Sequence, residues 1–386
     1  MKNIYMDNAA GTRLLDDVFQ EMLPYLTGEF GNPSSIHSGG TKPREAVEQA
    51  RERVAALIGA EPGEIYFTSC GSESNNMALK GTAWAARNRG RHIVVSAVEH
   101  HSVLHAAKAM AKLGWEVTTV GADGRGFVDP DDIRKAIRDD TVLVSVIHAS
   151  NEIGTIEPVG EIAAAARERG VPFHTDAMQT AGVIHVDVSD LGVDMLSLAA
   201  NSFYGPKGAA ALYIRKGVRV FSLIDGGIQE RGRRAGTENV PAIAGLGKAA
   251  ELAARDMDAR IAAITPLRDR LMSGLESAIP KLYVNGDRGN RLPGNVHVSI
   301  EAIEGESMLY SLAKKGIMAA SGSSCADKAL KSSHVLTAIG VDPALANASL
   351  LFSLGMDNTD EDVDRVLDVM PPIVERLRSM SPLWNG

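Results

Sequence analysis

Between about residue 65 and residue 215 the chain repeats one pattern: a short β-branched run, then a stretch of helical character. The runs are IYFTS, RHIVVSA, WEVTTV, TVLVSVIHA, VPFHTDA and MLSLAA; stretches such as ESNNMALKGTAWAARNRG and PVGEIAAAARERG separate them. Several runs are apolar on both faces, as strands covered by helices above and below must be. Parallel neighbours in turn need long, usually helical crossovers. The segment therefore reads as an α/β domain around a mainly parallel sheet.

From roughly 240 to 279 the pattern changes to long helix, with its spacing broken near Pro266. Beyond it NVHVSIEAI alternates with period two, GESMLYSLAKKG reads as a helix and LLFSLG as a strand. Thr359, followed three residues on by Asp362, marks a helix N-terminus. At 386 residues the chain is long enough for two or three large cores. The expected division is a large α/β domain over 15–260 and a smaller α+β domain built from 1–14 and 261–386.

A net charge of −8 with no basic run argues against a nucleic-acid partner, which needs a concentrated positive face. No apolar run approaches the ~18 residues of a membrane span, and MKNIYMDNAAG lacks the apolar core of a signal peptide. Two cysteines, Cys70 and Cys325, cannot make a disulfide framework. The expectation is a cytoplasmic protein with reduced thiols and no membrane or nucleic-acid association.

Four polar groups follow four of the strands. Gly71 and Ser72, in SCGSE, open a helix whose free N–H groups suit a phosphate, or form an ordinary small polar turn. His100 ends RHIVVSAVEH, where it either stacks on a flat ring or belongs to a surface pair. Asn151 ends a strand, as a hydrogen-bond donor or a plain terminator. Asp176 follows VPFHT, where α/β proteins bind ligands, or else caps a helix. Together the four point to one crevice and a phosphate-bearing ring.

Cys325 is a separate signal. Free cysteines are usually buried small hydrophobes, and Cys70 is expected to be one. Cys325 sits instead in MAASGSSCADKALKSSH, small, polar and glycine-containing. A thiol on such a flexible loop is a candidate nucleophile or metal ligand.

From end to end the chain resembles the pyridoxal-phosphate cysteine desulfurases of iron–sulfur cluster assembly. The motifs that carry the resemblance are YMDNAAGT, GNPSSIH, FTSCGSESNN, VEHHSVL, NEIGT, HTDAMQ, FYGPKG, RRAGTENV, SGSSC and SLGMDNT, in that order. The resemblance implies a type I aminotransferase-like fold and a homodimer that works with a small iron–sulfur scaffold protein on L-cysteine. By the same resemblance Gly71 and Ser72 hold the cofactor phosphate, His100 stacks on the ring and Asp176 pairs with the ring nitrogen. Gln179 and Asn151 face the ring hydroxyl, and Thr237 reaches a phosphate across the dimer. Cys325 matches the cysteine that attacks the substrate sulfur and carries it as a persulfide.

Four positions depart from the family pattern. The lysine that bonds covalently to the cofactor is Ser202, and the histidine usually before it is Asn201. A phosphate-binding serine is Ala199, and the arginine that grips the substrate carboxylate is Leu351. Lys207, five residues beyond Ser202 in the GPKG turn, is a poor stand-in, because catalytic geometry tolerates little displacement. The expectation is a desulfurase-family protein whose pyridoxal phosphate, if bound, is noncovalent and whose desulfurase chemistry is weak or lost. Cys325 then serves as persulfide carrier or as thiolate ligand of a shared iron–sulfur cluster. An active desulfurase with a noncovalent cofactor is the alternative.

Overall fold

The computed structural model describes residues 3–321 and 332–384. Its strands are β1 (Ile4–Tyr5), β2 (Ile65–Thr68), β3 (His92–Ser96), β4 (Glu116–Val120), β5 (Thr141–Ser145), β6 (Phe173–Asp176), β7 (Met195–Ala199), β8 (Ala210–Ile214), β9 (Leu282–Val284), β10 (Asn295–Ile300), β11 (Ile317–Met318) and β12 (Ser349–Ser353). Seven of them form one sheet in the order β2-β8-β7-β6-β5-β3-β4. The neighbours from β7 through β4 are parallel, while β8 runs against both β2 and β7. Because β8 reverses twice, β2 points the same way as β7, so its C-terminal end opens on the same edge as those of β3, β5, β6 and β7.

The sheet is an α/β layer as the sequence implies, and six of its strands are buried at every residue. Only β4, at the edge, shows solvent along most of its length. Two apolar clusters cover the two faces. One includes Val94, Val144, Phe173 and Leu196, and the other Ile93, Val95, Leu143 and Met195. Neighbouring residues on a strand thus go to opposite clusters, as the two-residue period requires.

A third cluster joins β10 and β12 to helix Asp360–Ser379, through Val296, Val298, Phe352, Val366 and Met370. β10 is buried throughout, although its sequence alternates. Two of its polar residues meet Asn285, whose Nδ2 lies 2.9 Å from His297 Nδ1 and donates to Ser299 Oγ at 2.8 Å. Thr359 and Asp362 form the reciprocal cap anticipated from their spacing.

Helix Val240–Ala278 links the clusters and runs unbroken through Pro266, against the expected interruption. Its Val240, Leu246 and Leu252 pack in the first cluster, and its Leu267, Leu271 and Leu275 in the third. Apolar burial at both ends outweighs the ~3 kcal/mol that an interior proline costs.

A buried ion pair ties the segment before that helix to the large sheet. Arg51, on helix Thr41–Leu57, donates to both Glu230 carboxylate oxygens at 2.8 and 2.9 Å. Both side chains are almost fully buried, at 5% and 3% exposure. Glu230 also accepts from the Phe67 amide at 2.8 Å, and its φ of 46° places it in the left-handed region. Removing one partner strands the other charge in the interior. Arg51→Ala should therefore lower the stability to denaturant by about 3–5 kcal/mol at fixed protein concentration. A loss below ~1 kcal/mol would show that water reaches Glu230.

Candidate active site

The polar ends of the parallel strands meet on one edge. Asp176, the last residue of β6, is 2% exposed. Its Oδ2 accepts from Asn75 Nδ2 at 2.6 Å and its Oδ1 from the Met178 amide at 3.0 Å. The second bond closes a tight turn, not a helix cap, since residues 178–180 form turns. Burial raises the Asp176 pKa, and His100 opposes that rise by favouring the carboxylate.

Asn75 Nδ2 also donates to Ser102 Oγ at 2.8 Å. Ser102 in turn meets His100, its amide donating to Nδ1 at 3.1 Å and its hydroxyl lying 2.7 Å away. Asp176 and His100 are thus joined through two residues that sequence reasoning missed, Asn75 and Ser102. Each stands close to a recognised motif residue, one helical turn past Gly71 and two residues past His100. The amide bond to Nδ1 leaves the neutral imidazole proton on Nε2, and the His100 ring faces solvent while capping helix His101–Lys112.

Gly71 begins helix Gly71–Asn76, which continues through a π-helical turn (Met77–Gly81) into Thr82–Ala85. A Cβ on Gly71 would fall 2.5 Å from the Met178 sulfur, so a larger residue would displace that side chain where this N-terminus meets the turn after Asp176. Ser72 is exposed beside it. Glu73 receives the Ser69 amide at 2.8 Å and the Ser69 hydroxyl at 2.5 Å, and Arg234 Nε at 2.8 Å. Burial pushes the Glu73 pKa up, but Arg234 and Ser69 more than offset it and hold the carboxyl below its usual value. The bond to Arg234 anchors the RRAGTENV segment to this N-terminus; Thr237 in that segment is exposed. Cys70, expected to be buried, is exposed, because it precedes the helix at the solvent edge of the sheet.

Gln179 lies on the other side of the turn, its Nε2 donating to Ala9 O at 3.1 Å. Ser202 ends the short helical turn Ala200–Ser202 after β7 and is buried. Gln179 and Ser202 share a cavity with Tyr204 and Arg260. Lys207 is exposed, its ammonium close to Gly11. Ala199 is buried and pairs with Ala210. Leu351 is buried in β12, opposite His297, and exchanges backbone hydrogen bonds with Ala320. Asn151 is half-buried in the turn after β5. Cys325 lies outside the described residues. His334, which sequence reasoning did not select, donates through Nε2 to the Glu99 carbonyl at 2.8 Å and places its ring 4.5 Å from that of His101.

Residues 4–366 match the family model described as aminotransferase class-V. The chain belongs to the class-V aminotransferase family. Within it the chain groups with the cysteine desulfurases: it is 51% identical over 381 residues to "Cysteine desulfurase IscS" of Dictyoglomus turgidum, covering 99% of this chain and 97% of that one. A solved "NifS-like protein" superposes with a TM-score of 0.91 at 37% identity, covering 97% of this chain and 100% of the other. "SspA in complex with cysteine" superposes at 0.81 with 34% identity, covering 91% and 99% respectively. Class-V aminotransferases of this group use pyridoxal phosphate.

The residues present fit that cofactor's noncovalent contacts. The helix N-terminus at Gly71 and Ser72 suits the phosphate, the flat face of His100 suits a ring, and the buried Asp176 carboxylate suits a ring nitrogen that carries a proton. They do not fit covalent attachment at Ser202, which has a hydroxyl and no amine.

Buried histidines lie beneath the site, on the strands and in the segment that follows β5. Burial pushes His148 down to about 4 from 6.5, and its amide donates to Asp176 O at 2.9 Å. The unfolded chain takes up this proton near pH 6.5 and the folded chain only near 4. The stability is therefore complete above pH 6.5 and lost as pH falls toward 4, by about 3 kcal/mol from this residue. Chemical denaturation should show the stability gap between His148→Gln and the parent shifting in favour of the variant across that window. A pH-independent gap would mean that His148 titrates normally.

Proposed function

We propose that this protein is a homodimeric member of the cysteine desulfurase group that serves iron–sulfur cluster assembly with little or no desulfurase turnover of its own. The observation that carries the reading is Ser202, a buried hydroxyl in the turn after β7 where covalent attachment needs an amine; Lys207, five residues on, is exposed. Pyridoxal phosphate, when bound, supplies an electron sink. Gly71 and Ser72 hold the phosphate, His100 covers the ring, and Asp176 keeps the ring nitrogen charged through its bonds to Asn75 and Met178. Gln179 and Asn151 face the ring hydroxyl, and Thr237 of each chain completes the neighbouring chain's phosphate site. No side chain at position 202 moves a proton, and Leu351 offers the substrate carboxylate no charge. Exposed Phe30, Ile36 and Ile228, at 83%, 102% and 88%, supply apolar surface for the dimer.

Cys325 is the remaining reactive group. Its small, polar surroundings in sequence suit a thiolate that accepts sulfur as a persulfide or ligates a cluster held jointly with a scaffold protein. A second reading, desulfuration of L-cysteine to L-alanine with noncovalent cofactor, is favoured by the intact chain from Asp176 to His100 and by the cysteine complex of the related SspA.

Two measurements separate the readings. With added pyridoxal phosphate, the protein should release sulfide from L-cysteine at a rate at least about 10³-fold below that of an active desulfurase, the order that a missing general base costs. Ser202→Lys should capture the cofactor covalently, seen as added mass after borohydride, while sulfide release stays low because Leu351 is unchanged. Brisk turnover by the unaltered protein would overturn the first reading and support the second.

For Cys325, Cys325→Ser should still sediment as a dimer yet shorten the lifetime of a cluster reconstituted anaerobically with a scaffold protein, while Cys70→Ser leaves it unchanged. Equal lifetimes for Cys325→Ser and the parent would remove the role assigned to that thiol.

A further inference from the structure

The stretch SHVLTAIG, which begins at Ser333, is not used by the chemistry described so far. It forms the short helix His334–Ala338. Ser333 caps that helix, its hydroxyl accepting from the Leu336 amide at 3.1 Å while donating to the buried Glu152 carboxylate. Val335 and Leu336, at 1% and 0% exposure, sink into the first apolar cluster. A helix of this length does not persist alone, so the cap and these two side chains are what seat it.

The seat brings His334 to the flank of His100. His334 Nε2 donates to the Glu99 carbonyl at 2.8 Å, and that carbonyl belongs to the peptide unit that carries the His100 nitrogen. The same ring lies 4.5 Å from that of His101, which stacks on His105 at 5.1 Å. His334 thus holds the chain on both sides of His100. The Glu99 side chain is fixed to the sheet separately, its Oε1 accepting from Ser96 Oγ at 2.7 Å and from the Ile147 amide at 2.6 Å. With its carboxyl held by the sheet and its carbonyl by His334, Glu99 has little freedom to turn.

His100 depends on such a hold. It is exposed, and among the described residues its ring bonds to Ser102, two positions on. A bond of such short range turns with the local backbone. Asn75 steadies Ser102 from one side, at 2.8 Å. The peptide before His100 is steadied from the other side by a residue 235 positions beyond Glu99.

We propose that His334 is a positioning residue for His100: by holding the Glu99–His100 peptide and the His101 ring, it sets the plane in which the His100 imidazole faces the crevice. The hydrogen bond carries most of the effect, because it is directional and acts on the peptide of His100 itself, whereas the ring contact is a broad surface. The inference rests on the reading of His100 as the residue that covers a bound ring.

The first test uses the full chain with isotope-labelled histidine and no cofactor, read by NMR signals that report imidazole tautomer and exchange. His100 should give one sharp, Nε2-protonated set in the parent, and in His334→Ala that set should broaden or divide between tautomers. His334→Phe keeps a ring without the donor, so it should show the same change and decides the matter if His334→Ala does not fold. His334→Gln restores a donor and should return His100 toward the parent. His105→Ala removes a ring of the same stack and leaves the bond to Glu99, so the His100 signals should stay as they are. In equilibrium dialysis, pyridoxal phosphate should bind His334→Ala and His334→Phe about fivefold more weakly than the parent, the order that one hydrogen bond contributes. Unchanged His100 signals in a folded His334→Ala or His334→Phe protein, or an equal change in His105→Ala, would overturn the proposal. If His100→Ala binds pyridoxal phosphate as well as the parent does, the reading of His100 as ring cover fails, and the His100 signals still decide whether His334 holds it.

Discussion

Burial of six sheet strands on both faces is the constraint from which the rest follows. A strand covered above and below has no room for an unpaired polar group along its length. Polar chemistry is therefore pushed to the strand ends. β8 reinforces this by running antiparallel between β2 and β7, which brings the end of β2, and the helix starting at Gly71, onto the edge that carries His100 and Asp176. The few polar side chains left inside the sheet are paired with one another, as His174 is with Ser145 and Ser197. Their neutral state is the cost of that position, with His174 pushed down to about 3 by burial.

At the edge, buried and exposed groups are coupled rather than merely adjacent. Asp176 is shielded from water and His100 is not, yet Asn75 and Ser102 join them in one hydrogen-bonded chain. Such a chain orients both ends at once, which a cofactor held without a covalent bond requires more than one held with it. Glu73 does the same for the loop that carries Thr237, since its carboxylate binds Ser69 on one side and Arg234 on the other. The noncovalent half of the site is built to a standard that its covalent half lacks.

The positions that the resemblance sets apart are also distributed by layer. Ala199 and Leu351 are buried and packed as ordinary apolar residues, so each has been absorbed into a core. Ser202 has not, because it borders a cavity that Gln179 also lines. The structure has closed around two of the positions and left space at the third.

How much was legible follows from range. Period-two and helical spacing report local burial, so the α/β alternation, the parallel strands and the Thr359–Asp362 cap could be read from neighbours in the chain. Ordered motifs identified the family, and the resemblance pointed to Gly71, His100 and Asp176 as candidate site residues. Spacing failed where distant partners decide. Pro266 stays helical because packing at both ends of its helix outweighs the local penalty, and β10 buries His297 and Ser299 where Asn285, on another segment, meets both. Cys70 is exposed through its position at the sheet edge, which no composition rule foretells. The sequence by itself determined the elements, the family and the absence of an amine at position 202. Only the tertiary structure decided that Asn75 and Ser102 connect Asp176 to His100, because Asn75 stands 101 residues from Asp176 and 27 from Ser102 and only the seating of two helices against the sheet brings them together.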